Sequence, residues 1–349
     1  LQLGFAPLTC IFAAGNRAMV KMSENSRHLT RLLIKLVPDY FPVEKLVFFE
    51  ETGNVGTQFS QLPFDHLLFT GSAATGRAVM AAAAKNLTPV TLELGGKSPA
   101  VIAPDYPLQK AVERIMFAKQ FNAGQVCVNV DYIFVPEDRV TEFVEAAKAW
   151  VHAHCPDINS PDYTAIIDQR SFNRLADSLA DAERRGATLV NLSKGQEPDP
   201  VSRKFPLYLV LNPSEDMIVL QREIFGPIMP VIPYTDHQEV TAYINRRDRP
   251  LAFYPFTNDN ELQQFYLERV MSGGVCVNDA LLHPGQHDLP FGGVGASGMG
   301  HYHGYEGFVT FSKLRPVFYQ AGFSALKFLA PPYGKRVDNI LNLILKIKK

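Results

Sequence analysis

The chain has 349 residues, of which 46% are hydrophobic and 20% are charged, and its formal net charge is −1. This composition is typical of a globular protein with enough apolar residues for sizeable cores. The net charge is close to zero and the sequence contains no block of five like charges, which argues against a nucleic-acid partner. No apolar run reaches the ~18 residues that a bilayer span requires, so we expect no membrane partner either.

The four cysteines indicate the compartment. Cys10, Cys127, Cys155 and Cys276 form no C-x-x-C pair, and four cysteines in a chain of this length do not suggest a disulfide scaffold. No signal peptide is visible at the N-terminus. We therefore expect free thiols and a cytoplasmic location.

Strands and helices alternate through the first 94 residues. Apolar residues at helical spacing predict a helix from Phe5 to Ala14. Short apolar runs predict strands at 17–22, 46–49, 66–69 and 90–94. Helices are predicted between them, one beginning at Ser23 and another in an alanine-rich segment. This order predicts a parallel sheet with helices on its faces, which binds ligands beyond the carboxyl ends of its strands.

The later chain predicts a second α/β domain and a different tail. Apolar runs predict strands at 100–102, 132–135, 207–211, 229–232, 251–256 and 275–278, with helices between them. Residues 308–318 alternate like an exposed strand, and the tail resembles an amphipathic helix. We expect three parts, at 1–94, 95–303 and 304–349. The family resemblance given below implies that they are the C-terminal part of a dinucleotide-binding domain, a catalytic domain, and an oligomerisation strand with a tail.

Three short motifs carry residue types suited to catalysis. Gly71-Ser72-x-x-x-Gly76 lies between a strand and a helix, where backbone N–H groups can approach a phosphate at the helix N-terminus. Its spacing differs from the G-x-G-x-x-G of ordinary dinucleotide folds, so alone it is a weak signal. Cys127 follows a flexible Gly-Gln step, and Glu93 stands at the end of an apolar strand. A thiol and a carboxylate can serve as nucleophile and general base.

These motifs together resemble the aldehyde dehydrogenase superfamily. The resemblance is carried by LELGGKSP around Glu93, FNAGQVC ending at Cys127, and EIFGP at 223–227. VNDALLH at 277–283, LPFGGVGASGMG, and YHG at 302–304 are similar to its coniferyl aldehyde dehydrogenase branch. The motifs occur in family order over nearly the whole chain. The resemblance implies a Rossmann-like, parallel-sheet cofactor domain, an α/β catalytic domain, and a C-terminal strand that pairs with a neighbouring subunit in a homodimer or homotetramer.

The resemblance also implies a mechanism. Cys127 would attack the aldehyde carbonyl to form a thiohemiacetal, and loss of a hydride to a nicotinamide would leave a thioester. Glu93 would activate the water that hydrolyses this thioester, because a carboxylate in an apolar strand has a raised pKa. Its presence favours hydrolysis over acyl transfer to coenzyme A. The alternative for Glu93 is a structural carboxylate paired with a nearby lysine such as Lys97.

The cofactor site implied by the resemblance has three parts. Lys21 and Glu24 would contact the adenine ribose, and Gly71, Ser72 and Gly76 the pyrophosphate. Glu223 would bind the nicotinamide ribose, Phe225 would pack near the ring, and Leu94 is assigned to the same site. A carboxylate at the ribose favours NAD over NADP. The alternatives are a surface Lys21–Glu24 pair and, for Phe225, a simple turn before Gly226-Pro227.

A metal site is not predicted. The histidine pairs His152 with His154 and His301 with His303 lack a cysteine or carboxylate cluster at ligand spacing. His303 is better explained as a structural residue.

One family feature is expected to be missing. The family's oxyanion-hole asparagine precedes the helix that begins here near Leu1, so we expect an N-terminally truncated chain without that donor. Loss of one such donor costs on the order of 10²–10³ in kcat. The sequence therefore leaves two functions open: NAD-dependent oxidation of an aldehyde, aromatic only by branch resemblance, or an impaired relative that binds nucleotide or oligomerises without turnover.

Overall fold

The computed structural model describes residues 2–347, where helices and strands alternate along most of the chain. The helices are α1 Gln2–Ala13, α2 Arg27–Leu36, α3 Val55–Phe59, α4 Ala73–Ala84, α5 Leu108–Gln120, α6 Val140–His154, α7 Gln169–Arg184, α8 Ile218–Gln221, α9 His237–Asn245, α10 Asn260–Arg269, α11 Gly304–Thr310 and α12 Lys335–Ile347. The strands are β1 Ala18–Lys21, β2 Leu46–Phe49, β3 Leu67–Thr70, β4 Val90–Glu93, β5 Pro99–Ile102, β6 Tyr132–Pro136, β7 Thr188–Asn191, β8 Tyr208–Leu211, β9 Ile228–Tyr234, β10 Ala252–Phe256, β11 Gly274–Val275 and β12 Gly298–Met299.

These strands form three sheets. β1 and β2 pair in parallel, and β4 lies between β3 and β12. The third sheet has seven strands in the order β11-β10-β5-β6-β9-β8-β7. Every pair is parallel except β12 with β4 and β7 with β8. The prediction of a parallel-rich α/β fold is therefore confirmed.

The largest core surrounds the seven-stranded sheet. All residues of β5, β6 and β10 are buried, as expected of central parallel strands covered on both faces by helices. Helix α5 places a buried face, which includes Val112, Ile115 and Met116, against this core. A smaller separate cluster holds Leu8, Met22, Val37, Leu46 and Phe48. The large core gives the cysteine loop after α5 a rigid foundation.

The strand predicted at 308–318 is absent from residues 2–347 of the single chain, and its first three residues are helical instead. Its pairing with a neighbouring subunit remains a prediction. Residues Gly304–Thr310 are helix α11, and residues 313–320 have no regular secondary structure. A strand is defined by backbone pairing, and within residues 2–347 the backbone groups of residues 313–320 make no backbone hydrogen bond. An alternating apolar pattern alone cannot fix the backbone state.

The chain divides into two compact units, one ending at Ser312 and the other beginning at Lys313. The second unit contains a short 3-10 turn at Ala325–Leu329 and helix α12. No helix between residues 2 and 347 combines the length and apolar character needed to cross a bilayer. The proposed division into domains at residues 94 and 303 remains a prediction.

Candidate active site

The loop that follows α5 presents Cys127. Asn122 and Ala123 adopt left-handed backbone conformations, with φ of 53° and 51°. Gly124 has φ of 73°, and a Cβ at this position would overlap the backbone carbonyl of Gly226. Only glycine allows this close approach. The loop therefore brings Cys127 beside the Glu223–Pro227 segment.

Gln125 anchors the other side of the same loop. Its Nε2 donates to the carbonyls of Asn122 (3.0 Å) and Ala165 (3.1 Å), and its Oε1 accepts from the Ile167 N–H (2.8 Å). Because the side chain is buried and all its polar groups are satisfied, it fixes the loop on the segment before α7. Cys127 itself remains partly accessible.

The Cys127 thiol lies in an apolar, anionic environment. Burial raises its pKa to about 12, and the nearby carboxyl groups of Glu223 and Glu93 contribute in the same direction. The backbone N–H groups of Cys127 and Val128 oppose this rise by favouring the thiolate. The resting group is therefore a neutral thiol, and it needs a base to become a nucleophile.

Glu93 ends β4 with its carboxyl group deep inside the protein. The residue is 3% exposed, and both carboxyl oxygens are buried without a hydrogen-bond partner among the described residues. Burial raises its pKa to about 9. Lys97 does not pair with it, because the Lys97 ammonium contacts Asp131 instead. The pairing offered as an alternative for Glu93 is therefore not what the structure contains.

Glu223 lies against the glycine turn that follows Glu93. A Cβ on Gly95 would overlap the Glu223 carboxyl group, so a larger residue there would displace this side chain. Burial raises the pKa of Glu223 to about 7, the Asp131 charge acts in the same direction, and the Gly96 N–H opposes the rise. Phe225 is exposed and has a left-handed backbone with φ of 46°. An exposed ring on a left-handed backbone is compatible with both interpretations of Phe225, a simple turn before Gly226 and a ring that packs against a ligand.

The Gly71–Gly76 turn joins β3 to α4. Ser72 caps the helix by accepting from the Thr75 N–H at 3.3 Å. A Cβ on Gly76 would lie 2.7 Å from a terminal carbon of Leu94. Leu94 is buried under the first turn of α4, so its observed side-chain contact is packing, and a cofactor contact by Leu94 remains a prediction.

Lys21 and Glu24 lie at the end of β1, but they do not form a pair. Lys21 makes an ion pair of 2.6 Å with Glu51, while Glu24 is exposed. Glu51 also accepts hydrogen bonds from the N–H groups of Gly53, Val55 and Gly56. Its pKa falls to about 2, chiefly through Lys21. The proposed surface pair of Lys21 with Glu24 is therefore replaced by an ion pair with Glu51.

A cleft of about 560 Å³ opens beside the Glu223 carboxyl group. Its walls include Ala73 of α4, Gly95, Gly96 and Glu223. Its edge carries both charges: Arg222, Arg246, Arg247 and Arg249 lie there with Glu215 and Asp248, and Glu215 forms ion pairs with Arg246 and Arg247. Cys127 and Glu93 are not among its walls, so the cleft extends away from the thiol.

No group of three or more His, Cys, Asp or Glu side chains within residues 2–347 is placed to hold a metal ion. His303 is buried and His283 is partly buried, and the ring nitrogens of both are buried without a hydrogen-bond partner among the described residues. Burial lowers the pKa of both rings, that of His283 to about 4. Both are therefore neutral imidazoles near neutral pH.

The structure brings Cys127, Glu93, Glu223 and Gly95 together and places Lys21 elsewhere, on the small β1–β2 sheet. The sequence did not reveal two ion-pair partners, Asp131 for Lys97 and Glu51 for Lys21. Asp131 follows Cys127 by four residues, and a charged residue entering a buried strand was the available signal. No sequence signal marked Glu51, because its ion pair with Lys21 depends on the pairing of β1 with β2.

Comparison with known proteins supports the motif analysis. A family model described as "Aldehyde dehydrogenase family" matches residues 2–317. The chain is 52% identical over 343 residues to a Pseudomonas aeruginosa protein named "Probable coniferyl aldehyde dehydrogenase", covering 98% of this chain and 71% of that one. The structure is similar to substrate-bound Staphylococcus aureus AldH, with a TM-score of 0.87, 36% identity, and coverage of 98% and 74%. It is also similar to a Mycobacterium tuberculosis aldehyde dehydrogenase complexed with NAD+, with a TM-score of 0.77, 29% identity, and coverage of 88% and 65%.

Proposed function

Since this chain belongs to the aldehyde dehydrogenase family of oxidoreductases, we propose that it oxidises an aldehyde to the carboxylic acid with NAD, through a thioester on Cys127. The observation that carries the proposal is the buried, unpartnered carboxyl group of Glu93, which lies close enough to Cys127 to contribute to the raised pKa of its thiol. A carboxyl group kept without partners in an apolar site is suited to move protons near neutral pH.

Cys127 acts as the nucleophile. The Glu93 carboxylate takes the thiol proton, the sulfur bonds to the aldehyde carbon, and the carbonyl π electrons move to the oxygen to give the thiohemiacetal anion. The N–H groups of Cys127 and Val128, which favour a negative charge at the sulfur, lower the cost of this step. Loss of a hydride from the same carbon then leaves the thioester. Glu93 passes the thiol proton to solvent before the second half of the reaction.

Glu93 acts as the general base in the second half of the reaction. Its carboxylate takes a proton from water, the hydroxide oxygen bonds to the thioester carbon, and the carbon–sulfur bond breaks to release the acid. In this step Glu93 would contact the attacking water, and burial, which raises its pKa to about 9, makes it the stronger base. This hydrolytic step distinguishes the chain from a thioester-forming acyltransferase.

The residues present fit a dinucleotide. The capped N-terminus of the twelve-residue helix α4, with Gly71 and Ser72 before it, suits a pyrophosphate. Glu223 would hold the nicotinamide ribose in the cleft beside Gly95. Bound NAD supplies the hydride acceptor. The Mycobacterium tuberculosis relative is complexed with NAD+, which supports this choice of cofactor, and the exposed carboxylate of Glu24 after β1 favours NAD over NADP.

An aromatic enal of the coniferyl type is the proposed substrate, on the strength of the 52% identical relative named for it. NADH formation with coniferyl aldehyde, compared with an aliphatic aldehyde of similar length, tests this choice. A higher kcat/KM for coniferyl aldehyde is expected, and a preference for the aliphatic compound would contradict it.

A further inference from the structure

Lys97 and Asp131 form a buried ion pair beside the site that the proposed mechanism does not use. Their side chains are 13% and 4% exposed. The Lys97 Nζ contacts Asp131 Oδ1 and also donates to the carbonyls of Val219 (2.7 Å) and Arg222 (3.1 Å). All three ammonium protons are therefore used, and they tie the Glu93 turn to the segment that leads to Glu223.

The second oxygen of Asp131 extends this connection. Oδ2 accepts from the buried Ile224 N–H at 2.8 Å. Lys97 binds the carbonyl of the residue before Glu223, and Asp131 binds the N–H of the residue after it. The ion pair thus holds the Glu223 backbone on both sides, together with Arg174, whose Nη1 donates to the carbonyls of Glu223 (3.4 Å) and Ile224 (2.5 Å). The Glu223 carboxyl group rests against Gly95.

The cysteine loop has anchors that are independent of this pair. Asn129 Nδ2 donates to the Ala118 carbonyl at 2.6 Å, and Lys119 Nζ donates to the Val130 carbonyl at 2.8 Å. Gln125 holds the opposite end of the loop. Weakening the pair should therefore displace Glu223 more than Cys127.

We propose that Lys97 and Asp131 are positioning residues that set the Glu223 carboxyl group against the Gly95–Gly96 turn and so control cofactor binding. The inference rests on the proposed role of Glu223 at the cofactor. A buried ion pair adds little net stability compared with apolar packing, whereas its fixed geometry can specify one arrangement of the chain. Here that arrangement includes a ligand-binding carboxylate.

The test separates cofactor binding from the chemistry of the thiol. Asp131→Asn keeps the shape of the side chain but removes its charge and one acceptor. We expect KM and Kd for NAD to rise roughly 10- to 100-fold, the range for loss of a hydrogen bond to a charged group. Hydrolysis of p-nitrophenyl acetate by Cys127, which needs no NAD, should stay near the wild-type rate.

Asp181→Asn is the matched control. Asp181 is also a buried aspartate, and it accepts from the Ile218 N–H at 2.9 Å near the start of the same segment, six residues before Ile224. This variant should lower thermal stability without changing KM for NAD. Equal increases in KM for both variants, or equal loss of ester hydrolysis and NAD turnover in Asp131→Asn, would show a merely structural role and overturn the inference.

Lys97→Arg covers the case in which Asp131→Asn does not fold. It keeps the charge pair, but a planar guanidinium cannot direct its protons to the same three acceptors. A raised KM for NAD is expected, and an unchanged KM would overturn the inference. A wild-type chain that binds no NAD would refute the proposed function as well, whereas normal wild-type binding with unchanged variants would refute the positioning role alone.

Discussion

The Glu93 carboxyl group and the Cys127 thiol are both held in their neutral forms by burial. Burial raises the pKa of Glu93 to about 9 and that of Cys127 to about 12. Each carries a cost for ionisation that an exposed group would not have. Such a pair is expected to give a site whose rate and stability both respond to pH.

Stability should fall as the pH rises because of Glu93. Its pKa is about 9 in the folded chain and 4.5 in the unfolded chain. Between these values only the folded state keeps the proton, so its stabilising effect is complete below pH 4.5 and is lost as the pH rises through 9. Glu93→Gln removes this dependence. Its free energy of unfolding relative to wild type should therefore increase by about 4 kcal/mol between about pH 5 and about pH 8, at 1.36 kcal/mol per unit.

Denaturant unfolding at the two pH values measures this difference. Glu145→Gln, which changes an exposed glutamate paired with Lys148, is the control and should show no such trend. A Glu93→Gln variant whose relative stability does not depend on pH would show that the carboxyl group ionises normally.

Thioester hydrolysis should speed up with pH for the same reason. The ionised base is a small fraction near neutral pH and grows toward the pKa of about 9. The release of acetate from acetylated Cys127 should therefore rise about tenfold per pH unit below that value. Glu93→Gln should lose this rise and retain only slow, buffer-driven hydrolysis. A wild-type rate that is flat between neutral pH and pH 9 would contradict the role of Glu93.

Among the elements, the short loop after α5 is the most constrained by backbone geometry. Two non-glycine residues and Gly124 adopt left-handed conformations, and Gly124 touches the backbone before Pro227. Strain of this kind persists where the surroundings enforce it and is common at functional sites.

Gly124→Ala tests this contact. A left-handed alanine costs roughly 1–2 kcal/mol by itself, and here the new Cβ would also overlap the Gly226 carbonyl. Gly186 has a similar φ of 92°, and a Cβ added there would meet nothing within 4 Å, so Gly186→Ala reports the strain alone. We expect Gly124→Ala to unfold at a lower temperature than Gly186→Ala and to lose activity. Equal unfolding temperatures would show that the loop can move away from Gly226.

The regular elements could be predicted because their patterns are local. The strands at 46–49 and 100–102 match β2 and β5 closely, since short β-branched and aromatic runs between turns need no distant partner to be recognised. The site was predictable only in part. Cys127 and Glu93 stand in recognisable motifs, whereas the Lys97–Asp131 and Lys21–Glu51 pairs arise from strand order in the folded chain. The strand predicted at 308–318 is absent because no strand pairs with it among residues 2–347 of the single chain, and its pairing with a neighbouring subunit remains a prediction.

At the scale of the whole molecule, the unit that begins at Lys313 leaves large apolar side chains exposed. Leu314, Val317, Phe318, Tyr319 and Phe323 are each more than half exposed. Surfaces of this kind mark interaction sites. We propose that they contact a second copy of the chain in a homodimer or homotetramer, as the family resemblance implies.

Light scattering in solution measures the molar mass directly. The wild-type chain should give a multiple of 38.8 kDa, and Phe318→Asp with Tyr319→Asp should lower the mass toward the monomer, because a buried charge at an interface is costly. Leu87→Asp, at an exposed leucine distant in sequence, is the control. A monomeric wild-type chain would exclude this assembly.

The most direct test of the account is NADH formation from coniferyl aldehyde by the wild-type chain, Cys127→Ala and Cys276→Ala. Cys276 is also a partly accessible free thiol, so it controls for nonspecific effects of removing one. The account predicts turnover by the wild-type chain and by Cys276→Ala, and none by Cys127→Ala. Turnover that survives in Cys127→Ala would contradict the thioester mechanism. A wild-type chain that binds NAD without turnover would instead support the impaired relative.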